Sequence, residues 1–237
     1  MADTYVAQMK GVILGIAPEA HIVDVTHEVR PQDVASGAFL LSQVAPAFPR
    51  GTVHVAVIDP GVGGAREAIV VETDDYLLVG PNNGVLSLAA PLYLAAYRIE
   101  NPTFRRPVPS ATFEGRDVFA PTAALLATGA AARDAGSELD RIVAVEWHEP
   151  VGDTGQVVHV DRFGNLVTNL RREHIAGAHG VMVGPLEAPL GRTYSDVGAG
   201  APIAYVGSSG LVEVAMRQAS AAAFTGAERG TPVLVKR

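Results

Sequence analysis

The sequence predicts an α/β N-terminal domain with a mainly parallel or mixed sheet, plus a smaller antiparallel β C-terminal domain. Three observations predict it. Up to about residue 148, stretches at helical spacing alternate with short strand patterns. From residue 155 onward, short apolar β segments follow one another between turns rich in Gly and Pro, with no long helix. Between them, 147–154 (WHEPVGDT) is the natural linker, which puts the domains at 1–148 and 155–237.

Each element has its own signal. Val6, Met9, Val12, Ile13 and Ile16 recur at helical spacing, and Pro18 stops that helix. The run 21–26 (HIVDVT) alternates like a strand. Residues 34–48 read as a helix with Asp33 as its N-cap, because a carboxylate there accepts a free backbone N–H of the first turn. Strands follow at 52–58, 68–72 and 76–79, and an alanine-rich helix at 117–132 carries Pro121 in its first turns. The second domain offers β segments at 156–160, 166–168, 180–183, 203–206, 211–214 and 232–235. One feature is unusual for an α/β domain: the first helix begins at residues 3–5, with no strand before it.

Composition narrows the chemistry. At 237 residues and 48% hydrophobic, the chain can bury one large core or two modest ones. No apolar run approaches the roughly 18 residues of a spanning helix, and the N-terminus lacks the basic-then-apolar order of a signal peptide. Cysteine is absent, which removes disulfides, thiolate metal sites and cysteine nucleophiles. A cytoplasmic protein is expected. The net charge of −7 and the small basic clusters, Arg105–Arg106 and Arg171–Arg172, argue against nucleic acid, whose phosphates demand a basic surface. A small-molecule ligand is expected, with no membrane partner. The seven histidines show no H-E-x-x-H or facial-triad spacing, so no metal site is expected. No G-x-S-x-G elbow marks a serine hydrolase.

Four stretches carry chemistry. In 58–66 (IDPGVGGAR) an apolar strand delivers Asp59 to its C-terminal end, where ligands sit in open α/β sheets, and Arg66 follows seven positions later. The glycines between allow close backbone approach, yet a tight turn with a surface ion pair is the plainer alternative. Asn82 and Asn83 stand where a strand gives way to a helix, as caps or as ligand contacts. The run 112–121 (TFEGRDVFAP) is either a capped helix start or a carboxylate and guanidinium facing a cleft. In 161–169 (DRFGNLVTN) Phe163 offers a stacking face and Asn165 pairs a donor with an acceptor, the equipment for reading an adenine edge; a hairpin turn with an exposed aromatic is the alternative.

Taken together, YVAQMKGVI, IVDVTHEVRPQDVASGAF, FPRGTVHVAVIDPGVG, VGPNNGVLS, GRDVFAP, DRFGNLVTN and GSSGLVEVA, in this order from Tyr5 almost to the C-terminus, resemble the S-adenosylmethionine (SAM) hydroxide adenosyltransferases. These are also known as DUF62 proteins and are the water-using relatives of fluorinase and chlorinase. The resemblance implies a homotrimer with the ligand between subunits and hydrolysis of SAM to adenosine and methionine by water at C5′, with no metal or further cofactor. It maps a catalytic Asp-Arg pair onto Asp59 and Arg66. It gives Asp3 the methionine amine, Ser208 the methionine carboxylate, Phe163 and Tyr194 the faces of adenine, and Asn165 its hydrogen bonds. Fluorinase-like members carry an extra loop after the strand ending near Glu72; here 70–76 passes straight through, so halogenation is disfavoured.

Two departures stand out. The family's third catalytic residue, a histidine before Gly-Arg-Asp, is Glu114 here, which places a second carboxylate near Asp59. The pair is expected to repel or to share a proton, with Glu114 either a base or an attractor of the sulfonium. Members also open with a strand and a turn whose aspartate grips the ribose, whereas this chain starts at the following segment; either the native protein is longer or that grip is lost. The alternatives to hydrolysis are a non-catalytic adenosine or SAM binder and, less favoured, a SAM-dependent halogenase.

Overall fold

A computed structural model describes residues 3–237. The chain divides into two compact units, the first extending to Glu146 and the second comprising Trp147–Arg237. The stretch read as a linker thus belongs to the second unit, where Val151 bridges to Thr154.

The first unit contains α1 (Tyr5–Ile16), α2 (Val34–Val44), β1 (Thr52–Val55), β2 (Ala68–Glu72), β3 (Tyr76–Pro81), β4 (Ala95–Arg98) and α3 (Ala120–Ala127). Its four strands are ordered β1-β3-β2-β4. Only β1 and β3 pair in parallel; β2 pairs antiparallel with both β3 and β4. The sheet is therefore mixed and not mainly parallel. The physical reason is the connection at 73–75: the Thr73 hydroxyl accepts the N–H groups of Asp75 and Tyr76, closing a hairpin too short for the crossover that a parallel pair needs. β4 escaped the sequence reading because AAYR is short and carries no alternation of its own.

Alternation along β2 and β3 divides the core between the two faces of the sheet. Ile69, Val71 and Leu78 pack with Leu41 of α2 and with Ala45 just past its end on one face. Val70 and Val79 pack with Phe119, Ala123 and Leu126 on the other. Asp33 caps α2 by accepting the Ser36 N–H at 3.1 Å. The helix stops at Val44, short of the expected residue 48, because Pro46 has no N–H to continue it and a 3-10 turn follows.

Two further expectations are corrected. Residues 21–26 join no strand ladder among the described residues, and Val23 and Val25 are exposed. Alternation prepares a strand but cannot supply the neighbour that makes it one. The helix read at 117–132 begins instead with a wide π turn, Gly115–Phe119, and ends at Ala127, where Gly129 takes positive φ.

The second unit is a seven-stranded sheet in the order β8-β7-β11-β5-β6-β10-β9. It comprises β5 (Thr154–Val160), β6 (Leu166–Arg171), β7 (Gly180–Val183), β8 (Leu186–Pro189), β9 (Pro202–Val206), β10 (Leu211–Met216) and β11 (Pro232–Lys236), with a short helix α4 (Ala221–Thr225). Every ladder is antiparallel. The sheet curls until Leu190, just past β8, bridges Ala204 on β9. Val157, Leu166, Leu170, Val181, Val212, Val214 and Val233 fill its interior. Among the described residues no helix is long and apolar enough to cross a membrane.

Candidate active site

The first candidate cluster starts at the end of β1. Past Val55 the chain stays extended, the Ala56 N–H donating to Val79 O at 3.1 Å. Asn83 Nδ2 then donates to Ile58 O at 2.8 Å, which pins the residue before Asp59. The turn after it is tight: Gly64 N–H donates to Gly61 O at 3.0 Å. Gly63 has φ +76°, and a Cβ there would lie 2.6 Å from Ala111 O, so only glycine lets the turn press against the segment leading to Glu114.

Arg66 closes the turn on itself. Its Nε donates to Asp59 Oδ1 at 3.0 Å and its Nη2 to Asp59 Oδ2, a bidentate pair. The same Nη2 lies 2.6 Å from Glu114 Oε2. All three side chains are largely shielded, with exposures of 5% for Asp59, 11% for Arg66 and 22% for Glu114. The guanidinium also sits over the Phe119 ring, 5.6 Å from its centroid. Burial works against its charge, but hydrogen bonds to Asp59 and Glu114 outweigh that and hold its pKa above the ordinary arginine value. The two carboxylates therefore meet through a shared cation.

Glu114 directly precedes the π turn at the start of α3, a favourable place for a negative group. The turn is held by Asp117, fully buried, which accepts from Arg116, Arg106 and the Ser110 N–H. The Arg116 hydrogen bond leads the set that lowers its pKa to about 2 despite burial. Arg116 stacks on Phe113 and donates to Gln8 on α1, while Tyr5 meets the Phe113 ring edge-on. Asp3, exposed, accepts the Tyr5 N–H at 3.1 Å and so tethers the start of α1.

Asn82 and Asn83 serve the frame. Asn82 donates to Glu67 Oε2 at 2.9 Å and accepts the Val143 N–H at 2.7 Å. Asn83, besides holding Ile58, accepts the Val85 N–H at 3.2 Å. Each amide thus has bonds at both ends within the protein.

The second cluster lies in the β unit. Asp161 Oδ1 accepts the N–H groups of Phe163 and Asn165, folding the turn between β5 and β6. Gly164 has φ +81°, and a Cβ there would collide with the Ser220 side chain. This turn leaves Phe163 68% exposed and Asn165 buried. Asn165 Nδ2 donates both to Asp161 Oδ2 and to the Tyr194 hydroxyl, each at 2.7 Å. Tyr194 meets Tyr205 hydroxyl to hydroxyl at 2.7 Å, and Tyr205 donates to Glu213 Oε2 at 3.1 Å. Burial raises the Glu213 pKa, with a further push from Asp161. Ser208 stands exposed on the turn between β9 and β10. Tyr205 and Glu213 were missed in the sequence, although a lone carboxylate inside the apolar run LVEVAM was a signal that a partner awaited it. Among the described residues no group of three or more His, Asp or Glu side chains is arranged to hold a metal.

Comparison with known proteins fits both units. The pattern described as SAM hydroxide adenosyltransferase N-terminal domain matches residues 1–136, and that of the C-terminal domain matches 155–234. The chain belongs to this family. A relative named (R)-S-adenosyl-L-methionine hydrolase from Thermus thermophilus is 40% identical over 98% of this chain and 94% of its own. One of the same name from Salinispora arenicola is 42% identical over 94% and 88%. Fluorinase of Nocardia brasiliensis, a more distant family relative, is 31% identical over 100% of this chain and 93% of its own. An uncharacterized conserved protein from Thermotoga maritima has the same fold, with a TM-score of 0.93, 33% identity and coverage of 99% and 96%.

Proposed function

We propose that this chain hydrolyses SAM to adenosine and L-methionine. The observation that carries the reading is the bidentate Asp59–Arg66 pair at the end of β1, in a chain about 40% identical to SAM hydrolases over nearly its whole length.

The residue set suits this reaction. A sulfonium is a good leaving group, so no acid is required; a water oxygen bonds to C5′ while the C5′–S pair withdraws onto sulfur, giving neutral methionine thioether. The water's proton passes to the base. Asp59 is assigned that role, or that of aligning the water, with Arg66 fixing the carboxylate. Glu114 shares the guanidinium and adds negative charge where the sulfonium would lie. Phe163, Tyr194 and Asn165 are assigned to adenine, and Asp3 and Ser208 to the methionine end. The reaction so written uses SAM and water alone.

Self-association as a homotrimer and a cytoplasmic location belong to the same proposal. None of the α1 residues is buried, and Tyr5, Leu14 and Ile16 are exposed apolar side chains, which supports an assembly covering that helix. The short hairpin at 73–75 supports water over halide as nucleophile.

Product analysis after incubation with SAM, with and without added halide, tests the reading. Adenosine independent of halide is expected. A 5′-halo-5′-deoxyadenosine would instead establish a halogenase, and SAM binding without turnover a binding protein.

A further inference from the structure

We propose that Tyr205 and Glu213 are positioning residues which, through Tyr194, lock Asn165 so that it presents only its carbonyl oxygen to the ligand, and that this selects a 6-aminopurine over a 6-oxopurine. The inference rests on the adenine assignment made above and adds two residues to it.

The orientation of an asparagine amide follows from its partners. Asp161 accepts two backbone N–H groups through Oδ1, and its Oδ2 lies 2.7 Å from one end of the Asn165 amide. A carboxylate oxygen used in this way accepts, so the amide end facing it is the nitrogen. The second proton on that nitrogen goes to the Tyr194 hydroxyl, also at 2.7 Å. Both donors of Asn165 are then engaged inside the protein. Its Oδ1 accepts no hydrogen bond among the described residues, although the residue as a whole is buried.

The Tyr194 hydroxyl accepts from Asn165 only if its own proton points elsewhere. Tyr205 holds that hydroxyl as an acceptor from the other side. Its ring meets Tyr194 edge-on with centroids 5.3 Å apart, and the two hydroxyls lie 2.7 Å apart. The Tyr205 hydroxyl in turn reaches the Glu213 carboxylate at 3.1 Å. The Tyr205 hydroxyl donates toward both Tyr194 and Glu213, so the Tyr194 oxygen accepts on both sides, from the Asn165 amide and from Tyr205. β9 and β10 hold the far end of this chain rigid, because Tyr205 and Glu213 are direct partners in the ladder. The residues come from four separate places in the sequence, yet each hydroxyl and amide group has a defined partner.

A purine meeting an acceptor-only group must offer a donor. The exocyclic amine of adenine does; the 6-oxo group of hypoxanthine places a second acceptor against Asn165 Oδ1, and that clash is not relieved by turning the amide, because both its protons are engaged.

Equilibrium binding of adenosine and inosine to the wild type, Tyr205→Phe, Glu213→Gln, Glu213→Leu and Phe163→Ala tests this. The wild type is expected to favour adenosine at least about tenfold. Tyr205→Phe and Glu213→Leu should narrow that ratio severalfold, while Glu213→Gln, which keeps an acceptor, should preserve it. Phe163→Ala should weaken both nucleosides alike. Equal wild-type affinities, or an unchanged ratio in the nearly isosteric Tyr205→Phe, would overturn the inference while leaving the purine site standing. Unaltered affinities in Phe163→Ala, or no binding of either nucleoside to the wild type, would overturn the purine assignment and the inference with it.

Discussion

The two polar clusters solve the same problem, holding side chains still in a shielded place, by opposite means. Around Asp59 the solution is charge: one guanidinium faces two carboxylates and lies over an aromatic ring. Around Asn165 no cation among the described residues enters the chain of contacts, and order comes from directed hydrogen bonds ending on Glu213. The charged cluster draws two of its three members from one eight-residue stretch, whereas the hydrogen-bonded chain takes Tyr205 and Glu213 from paired strands. The first should be sensitive to loss of its cation and the second to loss of polarity in its hydroxyls.

The contrast breaks most visibly at Arg66. Arg66→Met leaves two shielded carboxylates without a counter-charge, and removing one partner of a buried ion pair costs about 3–5 kcal/mol. Denaturant unfolding at neutral pH should show a loss of that order. Phe163→Ala touches neither cluster's internal bonds, so its melting temperature should hold. Its affinity for adenosine should fall by about 0.5–1.5 kcal/mol beyond the lost contact area, measured by calorimetric titration.

The smallest effect concerns Glu213, and its sign sharpens the comparison. Burial raises this carboxyl's folded-state pKa, so the folded protein holds the proton to higher pH than the unfolded chain. Below the unfolded value, about 4.3, the group costs nothing; the cost grows as pH rises through the folded pKa. Glu213→Gln should therefore match the wild type at acid pH and equal or exceed its stability at neutral and alkaline pH.

Sequence made the local features legible. Asp33 before an apolar periodic run is an N-cap, and IDPGVGGAR already sets a carboxylate and an arginine either side of a glycine turn; both depend on neighbours within a few residues. What depended on partners was not legible. HIVDVT alternates like a strand but joins no strand ladder among the described residues, and AAYR becomes β4 only because β2 offers it an edge. DRFGN announced Phe163 and Asn165, but the spending of both Asn165 protons became visible only with Asp161 and Tyr194 in place. The sharing of Arg66 between Asp59 and Glu114 likewise required the fold, since 48 residues separate arginine and glutamate in the chain.

The central claim is that Asp59, fixed by Arg66, serves the attack of water on SAM, with Glu114 competing for the same guanidinium. Its most direct test is the rate of adenosine formation from SAM by the wild type, Asp59→Ala and Glu114→His between pH 5 and 9. The account predicts slow turnover in the wild type, a loss of at least about a hundredfold in Asp59→Ala, and faster turnover in Glu114→His, where Arg66 is left wholly to Asp59. Equal rates in all three proteins would contradict it.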